Sequence, residues 1–212
     1  MICLHPVFAK VVSLKKDGTK VLSFRGSSLP SLALPCGKCY ACLVNKQKEW
    51  RKRMELELFA RNDVGTFLTL TYKDFYNDGK LHKEHVQNFI KRFRNVERDF
   101  GIPLPSLSYY AVGEYGKVTH RPHYHLALFG VDCLASQWRS SAVSYKDGFP
   151  CFASEIIGKI WPFGFNVVGH LNSSTIGYVS KYITKPYKSE FSLKSQSLGI
   201  SPSMLPMRIR QK

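Results

Sequence analysis

The chain has 212 residues and carries 31 Lys and Arg against 15 Asp and Glu, a formal net charge of +16. A hydrophobic fraction of 44% excludes a disordered basic tail, because disorder combines high charge with low hydrophobicity. The charge indicates a polyanionic partner, and nucleic acid is favoured over a membrane because no apolar run reaches the ~18–20 residues of a membrane span.

The start of the chain lacks the basic segment, apolar stretch and small-residue cleavage site of a signal peptide. We therefore expect the protein to stay in a cytoplasm, where its six cysteines are reduced unless a metal binds them.

The N-terminal region is predicted as a hairpin followed by a cysteine-rich segment. Asp17 and Gly18 separate two apolar runs, 7–14 and 20–24, and an Asp-Gly pair in this position is typical of a hairpin turn. After the hairpin, the three cysteines have C-x2-C-x2-C spacing: Cys36, Cys39 and Cys42.

Three thiols this close cannot all be paired among themselves, and clustered thiolates suit Zn²⁺, which takes four tetrahedral ligands. We expect a structural zinc, with Cys3 as the first candidate for the fourth ligand and His5 as the second. The alternative is three unliganded thiols in a loop.

The rest of the chain alternates between helical and strand patterns. Helices are predicted at 41–61, 82–100, 135–141, 152–161 and 173–185, and strands at 66–72, 109–114, 123–129 and 165–168. The order predicts an α+β fold with a central antiparallel sheet flanked by helices. We divide the chain into a cysteine-rich N-terminal extension at 1–42, a catalytic domain at 43–186 and a Ser- and Pro-containing basic tail at 187–212, predicted as loop or disorder.

Two histidines on one strand and an acidic residue on the strand before it form a candidate metal site. His123 and His125 are two residues apart, so their side chains share a face of the strand, and a return turn would bring Glu114 to the same face. This donor set suits Mg²⁺ or Mn²⁺ and leaves positions for water and a phosphate oxygen. The alternatives are ordinary histidines, and a salt bridge of Glu114 with Lys117 or Arg121.

The last predicted helix carries two tyrosines, Tyr178 and Tyr182, on one face. A phenol assisted by a base or a cation can act as a covalent nucleophile, and a phosphodiester polarised by a metal is a fitting target. Lys181 is a candidate for contact with the phosphate. The alternative is an amphipathic helix with two packed tyrosines and a solvated basic edge.

In order along the chain, these segments resemble the three motifs of HUH-type rolling-circle replication initiators, named for two His flanking a hydrophobic residue: 66–71, 121–125 and 178–182. With the cysteine-rich segment 35–42, the sequence is most similar to the replication initiators of microviruses, especially the gokushovirus branch.

The resemblance implies an HUH endonuclease-like domain with a divalent metal held by His123, His125 and Glu114, and Tyr178 and Tyr182 as nucleophiles. One tyrosine would become linked to the 5′-phosphate of nicked viral-strand DNA and leave a 3′-hydroxyl for the host polymerase. The second would cleave the regenerated origin so that the strand is rejoined. The cytoplasm would then be that of a bacterial host.

The sequence contains no G-x4-G-K-[ST] pattern, so we expect the helicase of the replication reaction to come from the host. Two other functions remain open. One is a transposase- or relaxase-type HUH protein, which would use a single catalytic tyrosine. The other is a non-catalytic, zinc-containing nucleic-acid-binding module, which would explain the charge and the cysteines but not the Glu/His/His and Tyr/Tyr sets.

Overall fold

The structure is a computed structural model that describes residues 2–25, 32–104, 106–116, 118–138, 144–146 and 149–184. It divides into two compact units, one formed by Met1–Glu49 with residues from Ile183 onward and one formed by Trp50–Tyr182. The predicted tail at 187–212 lies outside the described residues. No helix in the described part of the chain is long and apolar enough to cross a membrane.

The first unit contains a small antiparallel sheet. Strand β1 (Val7–Leu14) pairs with β2 (Lys20–Ser23) on one side and with β3 (Leu32–Leu34) on the other. The predicted Asp-Gly turn joins β1 and β2, with the Asp17 carboxylate accepting a hydrogen bond from the Thr19 amide at 3.0 Å. The hairpin is confirmed. The sequence analysis did not predict β3, since a strand of three residues has almost no period to detect.

Helix α1 (Tyr40–Ala60) begins in the first unit and continues into the second. The second unit is built on a six-stranded sheet in which every observed pair of neighbours is antiparallel. Its strands are β4 (Gly65–Tyr72), β5 (Ser108–Tyr115), β6 (Pro122–Phe129), β7 (Ser144–Lys146), β8 (Phe149–Phe152) and β9 (Gly164–His170). They lie in the order β5-β6-β4-β9-β8-β7.

The remaining helices are α2 (Lys83–Phe93), α3 (Val96–Phe100), α4 (Glu155–Ile160) and α5 (Ser173–Ser180). Short 3₁₀ turns occur at Asp74–Tyr76, Ser136–Trp138 and Lys181–Ile183. The predicted α+β class, with a central antiparallel sheet flanked by helices, is confirmed.

Three of the helix predictions need correction. The helix predicted at 82–100 is two helices, because Asn95 leaves the helical conformation and its side-chain amide donates to the Lys91 carbonyl instead. The helix predicted at 152–161 begins only at Glu155, since Phe152 pairs with Val168 in the sheet. The described part of the segment 135–141 holds one 3₁₀ turn.

The predicted tyrosine helix also ends early. Its α-helical part stops at Ser180 and continues as the 3₁₀ turn Lys181–Ile183, while the predicted last residue, 185, lies outside the described residues.

The two faces of the large sheet have different partners, as the alternation along its strands requires. One face, which includes Leu68, Leu70 and Leu126, is buried against α2 and α4. The other face is only partly covered. There Ala127 and Phe129 pack with side chains of α1 and α5, and the opposite end of β6 holds the candidate site.

Candidate active site

The sheet register brings the predicted metal ligands together. Glu114 on β5 lies directly opposite His123 on β6, and His123 lies opposite Thr71 on β4. Two positions along β6, His125 lies between Val112 and Thr69. Directly paired residues in an antiparallel sheet project from the same face, so all of these side chains share the partly covered face.

The ligand atoms of the three residues converge. The Oε1 atom of Glu114 is 2.7 Å from Nε2 of His123 and 3.8 Å from Nε2 of His125. Ligand atoms of all three residues lie within 4.8 Å of one another. Glu114 and His125 are buried and His123 is only slightly more exposed, so bulk water competes weakly for these atoms.

The far nitrogen of each imidazole is held by the protein. Nδ1 of His123 donates to the Arg121 carbonyl at 3.1 Å, and Nδ1 of His125 is hydrogen-bonded to the Thr69 hydroxyl at 3.0 Å. Such contacts fix the orientation of a ligating imidazole. Both Nε2 atoms are therefore turned toward the carboxylate of Glu114.

Arg121 has its own partners, which rules out its suggested salt bridge with Glu114. Its guanidinium donates to the Tyr72 carbonyl at 2.8 Å and forms an ion pair with Asp74. The other suggested partner, Lys117, lies outside the described residues. Arg121 acts on the site through its main-chain carbonyl, a contact that no side-chain pattern in the sequence indicates.

The donor set fits a divalent cation. A His123 ring that donates through Nδ1 to a carbonyl presents either a lone pair or a second proton at Nε2. A lone pair 2.7 Å from a carboxylate oxygen is repulsive unless a positive charge lies between them. Two imidazole nitrogens and one carboxylate oxygen, with open positions beside them, match the donors expected for Mg²⁺ or Mn²⁺.

The two predicted tyrosines lie against the same histidine. The rings of Tyr178 and Tyr182 are 5.3 Å and 5.6 Å from the His125 ring between centroids, edge-on and stacked respectively. The tyrosine rings are 5.3 Å from each other. Phe67 completes the cluster, stacked on His125 at 5.4 Å and edge-on to Tyr178.

The tyrosines differ in their environments. Tyr178 is 43% exposed, whereas Tyr182 is 8% exposed. Burial raises the pKa of the Tyr182 phenol, and its hydrogen bond with Tyr178 and the negative charge of Glu114 raise it further. Lys181 is exposed and lies between them in sequence, at the C-terminal end of α5.

Two sets of hydrogen bonds position α5. At its start, the Asn172 side chain accepts from the Thr175 amide at 2.9 Å and the Thr175 hydroxyl accepts from the Asn172 amide at 2.8 Å, a capping box. Ser173 donates to Glu55 of α1 at 2.8 Å and accepts from Arg51, which also forms an ion pair with Glu55 at 2.9 Å.

Two residues beside the site were missed by the sequence analysis. Phe165 and Val167 on β9 lie directly opposite Thr71 and Thr69, so they continue the two rows that contain His123 and His125. Both are exposed, whereas their neighbours Asn166 and Val168 are buried. The sequence predicted this strand, but an apolar side chain in a strand is ordinarily expected to be buried.

The cysteines form a second cluster, in the first unit. The sulfur atoms of Cys3, Cys36, Cys39 and Cys42 all lie within 4.8 Å of one another, and none is in a disulfide. Amide hydrogens of Cys42 and Leu4 lower the pKa of the Cys39 thiol to about 6, while burial raises the pKa of Cys42.

Comparison with known proteins gives a consistent result. The sequence model of the family of replication-associated proteins typified by ORF2 matches residues 65–187. The chain is 32% identical over 205 residues to the replication-associated protein ORF2 of Spiroplasma virus 4, which covers 87% of this chain and 61% of that protein. It is 30% identical over 197 residues to the replication-associated protein VP4 of Bdellovibrio phage phiMH2K, covering 87% and 58%.

A third relative is the replication-associated protein ORF4 of Chlamydia phage 1, with 29% identity over 160 residues, 74% of this chain and 39% of that protein. The chain thus spans less than two thirds of the length of these relatives. No solved structure matches the chain.

Proposed function

This chain belongs to the ORF2 family of replication-associated proteins, and from that premise we propose that it is a rolling-circle replication initiator that nicks single-stranded origin DNA. The observation that supports the proposal most strongly is the contact of both tyrosines with His125, one of three side chains whose ligand atoms converge. A phosphate bound at those ligands would lie beside two phenols.

Glu114, His123 and His125 would hold the catalytic divalent cation, with Thr69 and the Arg121 carbonyl orienting the two rings. When bound, Mg²⁺ or Mn²⁺ supplies a positive charge to a nonbridging phosphate oxygen.

Tyrosine attack gives a balanced transesterification. The phenol oxygen of Tyr178 forms a bond to phosphorus, and the bond from phosphorus to the 3′-oxygen breaks. The phenol loses its proton and the departing 3′-oxygen gains one. The products are a 5′-phosphotyrosyl link and a free 3′-hydroxyl, and the exposed Lys181 ammonium is placed to offset negative charge on the phosphate.

The second tyrosine allows the reaction to be repeated and reversed. Tyr182 would cleave the regenerated origin, and the released 3′-hydroxyl would then attack the first phosphotyrosine and rejoin the strand. The ring contact between Tyr178 and Tyr182 supports this role, because both phenols lie beside one set of ligands.

The partners in this proposal are single-stranded origin DNA, a host polymerase that extends the 3′-hydroxyl and a host helicase, all in the cytoplasm of a bacterial host. The formal charge of +16 supports binding to a polyanion. The competing function, a non-catalytic binding module, gives no reason for the convergence of Glu114, His123 and His125.

The experiment uses 3′-end-labelled single-stranded oligonucleotides of randomised sequence, with Mn²⁺ or with EDTA. Nicking by tyrosine transfers the labelled 3′ fragment to the protein, so a labelled band of protein size is expected in a denaturing gel with Mn²⁺ only. The Tyr178→Phe/Tyr182→Phe variant should lose the band, while a Tyr40→Phe/Tyr145→Phe control, which changes two other exposed tyrosines, should keep it.

A band that persists in the Tyr178/Tyr182 double variant would overturn the tyrosine assignment. A wild-type protein that binds the oligonucleotides but forms no band with any divalent metal would support the non-catalytic binding module instead.

A further inference from the structure

We propose that Cys3, Cys36, Cys39 and Cys42 bind one structural Zn²⁺. A tetrahedral zinc with Zn–S bonds of about 2.3 Å places its sulfur ligands about 3.8 Å apart. The Sγ atoms of Cys3 and Cys39 are 3.9 Å apart, and those of Cys36 and Cys42 are also 3.9 Å apart. A disulfide would bring two sulfurs to about 2.05 Å, so the observed spacing fits a shared metal and not a covalent pair.

The backbone around the cluster is arranged to support thiolates. The amides of Lys38 and Cys39 point at the Cys36 sulfur, at 3.5 Å and 3.3 Å, and the Cys36 amide points at the Cys3 sulfur at 3.3 Å. Gly37 has φ +73°, a conformation that L side chains rarely adopt, and it makes the turn that directs these amides. Four thiolates on one Zn²⁺ carry a net charge of −2, which such donors stabilise.

The geometry of the cluster favours Cys3 as the fourth ligand. Its sulfur lies within the 4.8 Å group, whereas His5 does not belong to that group. The site therefore joins the residues just before β1 to the start of α1, in which Cys42 lies.

The composition of the first unit explains why a metal would be needed there. Its small sheet leaves Val7, Phe8, Val12 and Leu14 exposed, and the buried apolar cluster in the described part of this unit consists of Cys39, Ala41 and Cys42. A unit this small with so little buried apolar area requires another source of stability, and bound zinc contributes directly to folding.

The test is metal analysis of protein purified without chelators from zinc-supplemented medium. We expect one zinc per chain in the wild type and in the Cys151→Ser control, and less than about a fifth of that in Cys3→Ser and Cys39→Ser. Because misfolding of those variants would also release zinc, Co²⁺ is exchanged into the wild type as well, where four thiolates give intense visible absorption typical of tetrahedral coordination.

Chelation of the wild type should increase hydrogen exchange in residues 2–49 and leave β4 and β6 protected. A wild type with less than about a fifth of one zinc per chain, or full zinc content in Cys3→Ser, would overturn the assignment. So would a Co²⁺ spectrum of octahedral type.

A second inference rests on the proposed function and on a different observation. We infer that Phe165 and Val167 form a stacking surface for a base of the single-stranded DNA held at the metal ligands. Phe165 is 58% exposed and Val167 is 42% exposed, although they lie in a central strand of the sheet, on the same face as His123 and His125.

The distance between this surface and the ligands suits adjacent nucleotides. Phe165 lies two strands from His123, with Thr71 between them, which at about 4.8 Å per strand is roughly 10 Å. An aromatic face can stack on any base without reading its identity.

A cation accompanies the ring. The Lys73 ammonium lies 5.8 Å from the centre of the Phe165 ring, so a base stacked there would bring its phosphate close to a positive charge. An exposed aromatic ring with a neighbouring lysine, beside a predicted phosphate site in a basic chain, fits an unpaired nucleotide better than an apolar protein partner.

The test measures the affinity of metal-free protein for a fluorescent oligothymidylate by anisotropy, so that nicking plays no part. Phe165→Ala is expected to raise Kd about 5- to 150-fold, the range for loss of one base stack, and Phe165→Trp to restore it. Phe59→Ala, which removes an exposed ring from α1, is the control and should leave Kd unchanged within about twofold.

An unchanged Kd for Phe165→Ala, or an equal loss of affinity for duplex DNA of the same length, would overturn the stacking surface. Neither result bears on tyrosine chemistry, because the covalent-adduct assay fails only if the proposed function is wrong.

Discussion

The imidazole ring of His125 is stacked on the phenol ring of Tyr182, with 5.6 Å between centroids and 22° between planes. Tyr178 meets the same imidazole edge-on, at 5.3 Å and 81°. The stacked tyrosine is buried and the edge-on tyrosine is exposed, so two residues that the sequence presents as equivalent differ in access to a substrate.

We predict that Tyr178 makes the first nick. Burial and the negative charge of Glu114 both disfavour the phenolate form of Tyr182 and keep its pKa high, whereas Tyr178 is open to an incoming phosphate. Tyr178→Phe should lower the rate of the first covalent adduct at least about 100-fold, or about 2.7 kcal/mol in activation free energy. Tyr182→Phe should change it less than about fivefold.

The measurement is the single-turnover rate of adduct formation on a substrate with one cleavage site. A substrate with two sites provides the control, since Tyr182→Phe should there block the second transfer and the joined product. Equal rates for the two single variants would contradict the predicted order.

Thr69 is predicted to tune the catalytic metal through His125. Its hydroxyl is bonded to Nδ1 of that ring, so Thr69→Val removes the contact while keeping size and shape. Loss of such a contact weakens metal affinity about 10- to 100-fold, and the Mn²⁺ concentration for half-maximal adduct formation should rise accordingly.

Thr71→Val is the matched control for Thr69→Val. Thr71 lies on the same strand and face, opposite His123, whose Nδ1 is bonded to the Arg121 carbonyl and not to a threonine. Its Mn²⁺ dependence should match that of the wild type. If both variants shift by the same amount, the effect belongs to the strand surface and the orienting role of Thr69 is wrong.

Local patterns were sufficient to predict which strands carry the candidate ligands. Alternation placed His123 and His125 on one face of a strand, and the return turn from β5 to β6 brought Glu114 beside them, as the observed pairing requires. These relations depend on strand periodicity and on neighbours in sequence, both of which a sequence displays directly.

Relations between distant elements were not predictable. Thr69 bonds to His125 only because β4 inserts between β6 and β9, a choice made by tertiary packing. The different burial of Tyr178 and Tyr182 arises because α5 ends between them and continues as a 3₁₀ turn. The last residue of strand β8 was assigned to a helix because a four-residue apolar run has no distinct period.

The stability of the second unit is predicted to depend on pH through His85. This ring is stacked on Phe163 at 4.0 Å and bonded through Nδ1 to the Tyr72 hydroxyl, and burial lowers its pKa. A folded-state pKa below the unfolded value of about 6.5 gives stability that is present above about pH 6.5 and lost as the pH falls. His85→Phe should therefore flatten the decrease in unfolding free energy between about pH 7 and pH 5.

His82 provides the control of opposite sign. Its bonds to Asp78 and Glu84 raise its pKa, so its contribution to stability is present below about pH 6.5 and lost as the pH rises. His82→Gln should steepen the decrease that His85→Phe flattens. Urea unfolding in EDTA, followed by tryptophan fluorescence at several values from about pH 5 to pH 8, measures both slopes, and parallel slopes in the two variants would contradict the assignment.

The cap of α5 is predicted to matter for activity as well as for stability. An eight-residue helix is marginal by itself, and the Asn172 side chain satisfies the Thr175 amide at its start. Asn172→Ala should lower the unfolding free energy by about 1 kcal/mol, whereas Asn172→Asp, which also accepts this bond, should retain most of it. Because α5 carries Tyr178, fraying of the helix should also lower the rate of adduct formation.

Ser154→Ala separates the positional effect from general destabilisation. Ser154 caps α4 by accepting from the Ile157 amide, and α4 carries neither tyrosine, so this variant should lose about as much stability, ~1 kcal/mol, and keep the wild-type adduct rate. Rates are compared well below the unfolding temperature of both variants, where each is fully folded. If Ser154→Ala slows adduct formation as much as Asn172→Ala does, the cap acts through global stability, and α5 has no special role in positioning Tyr178.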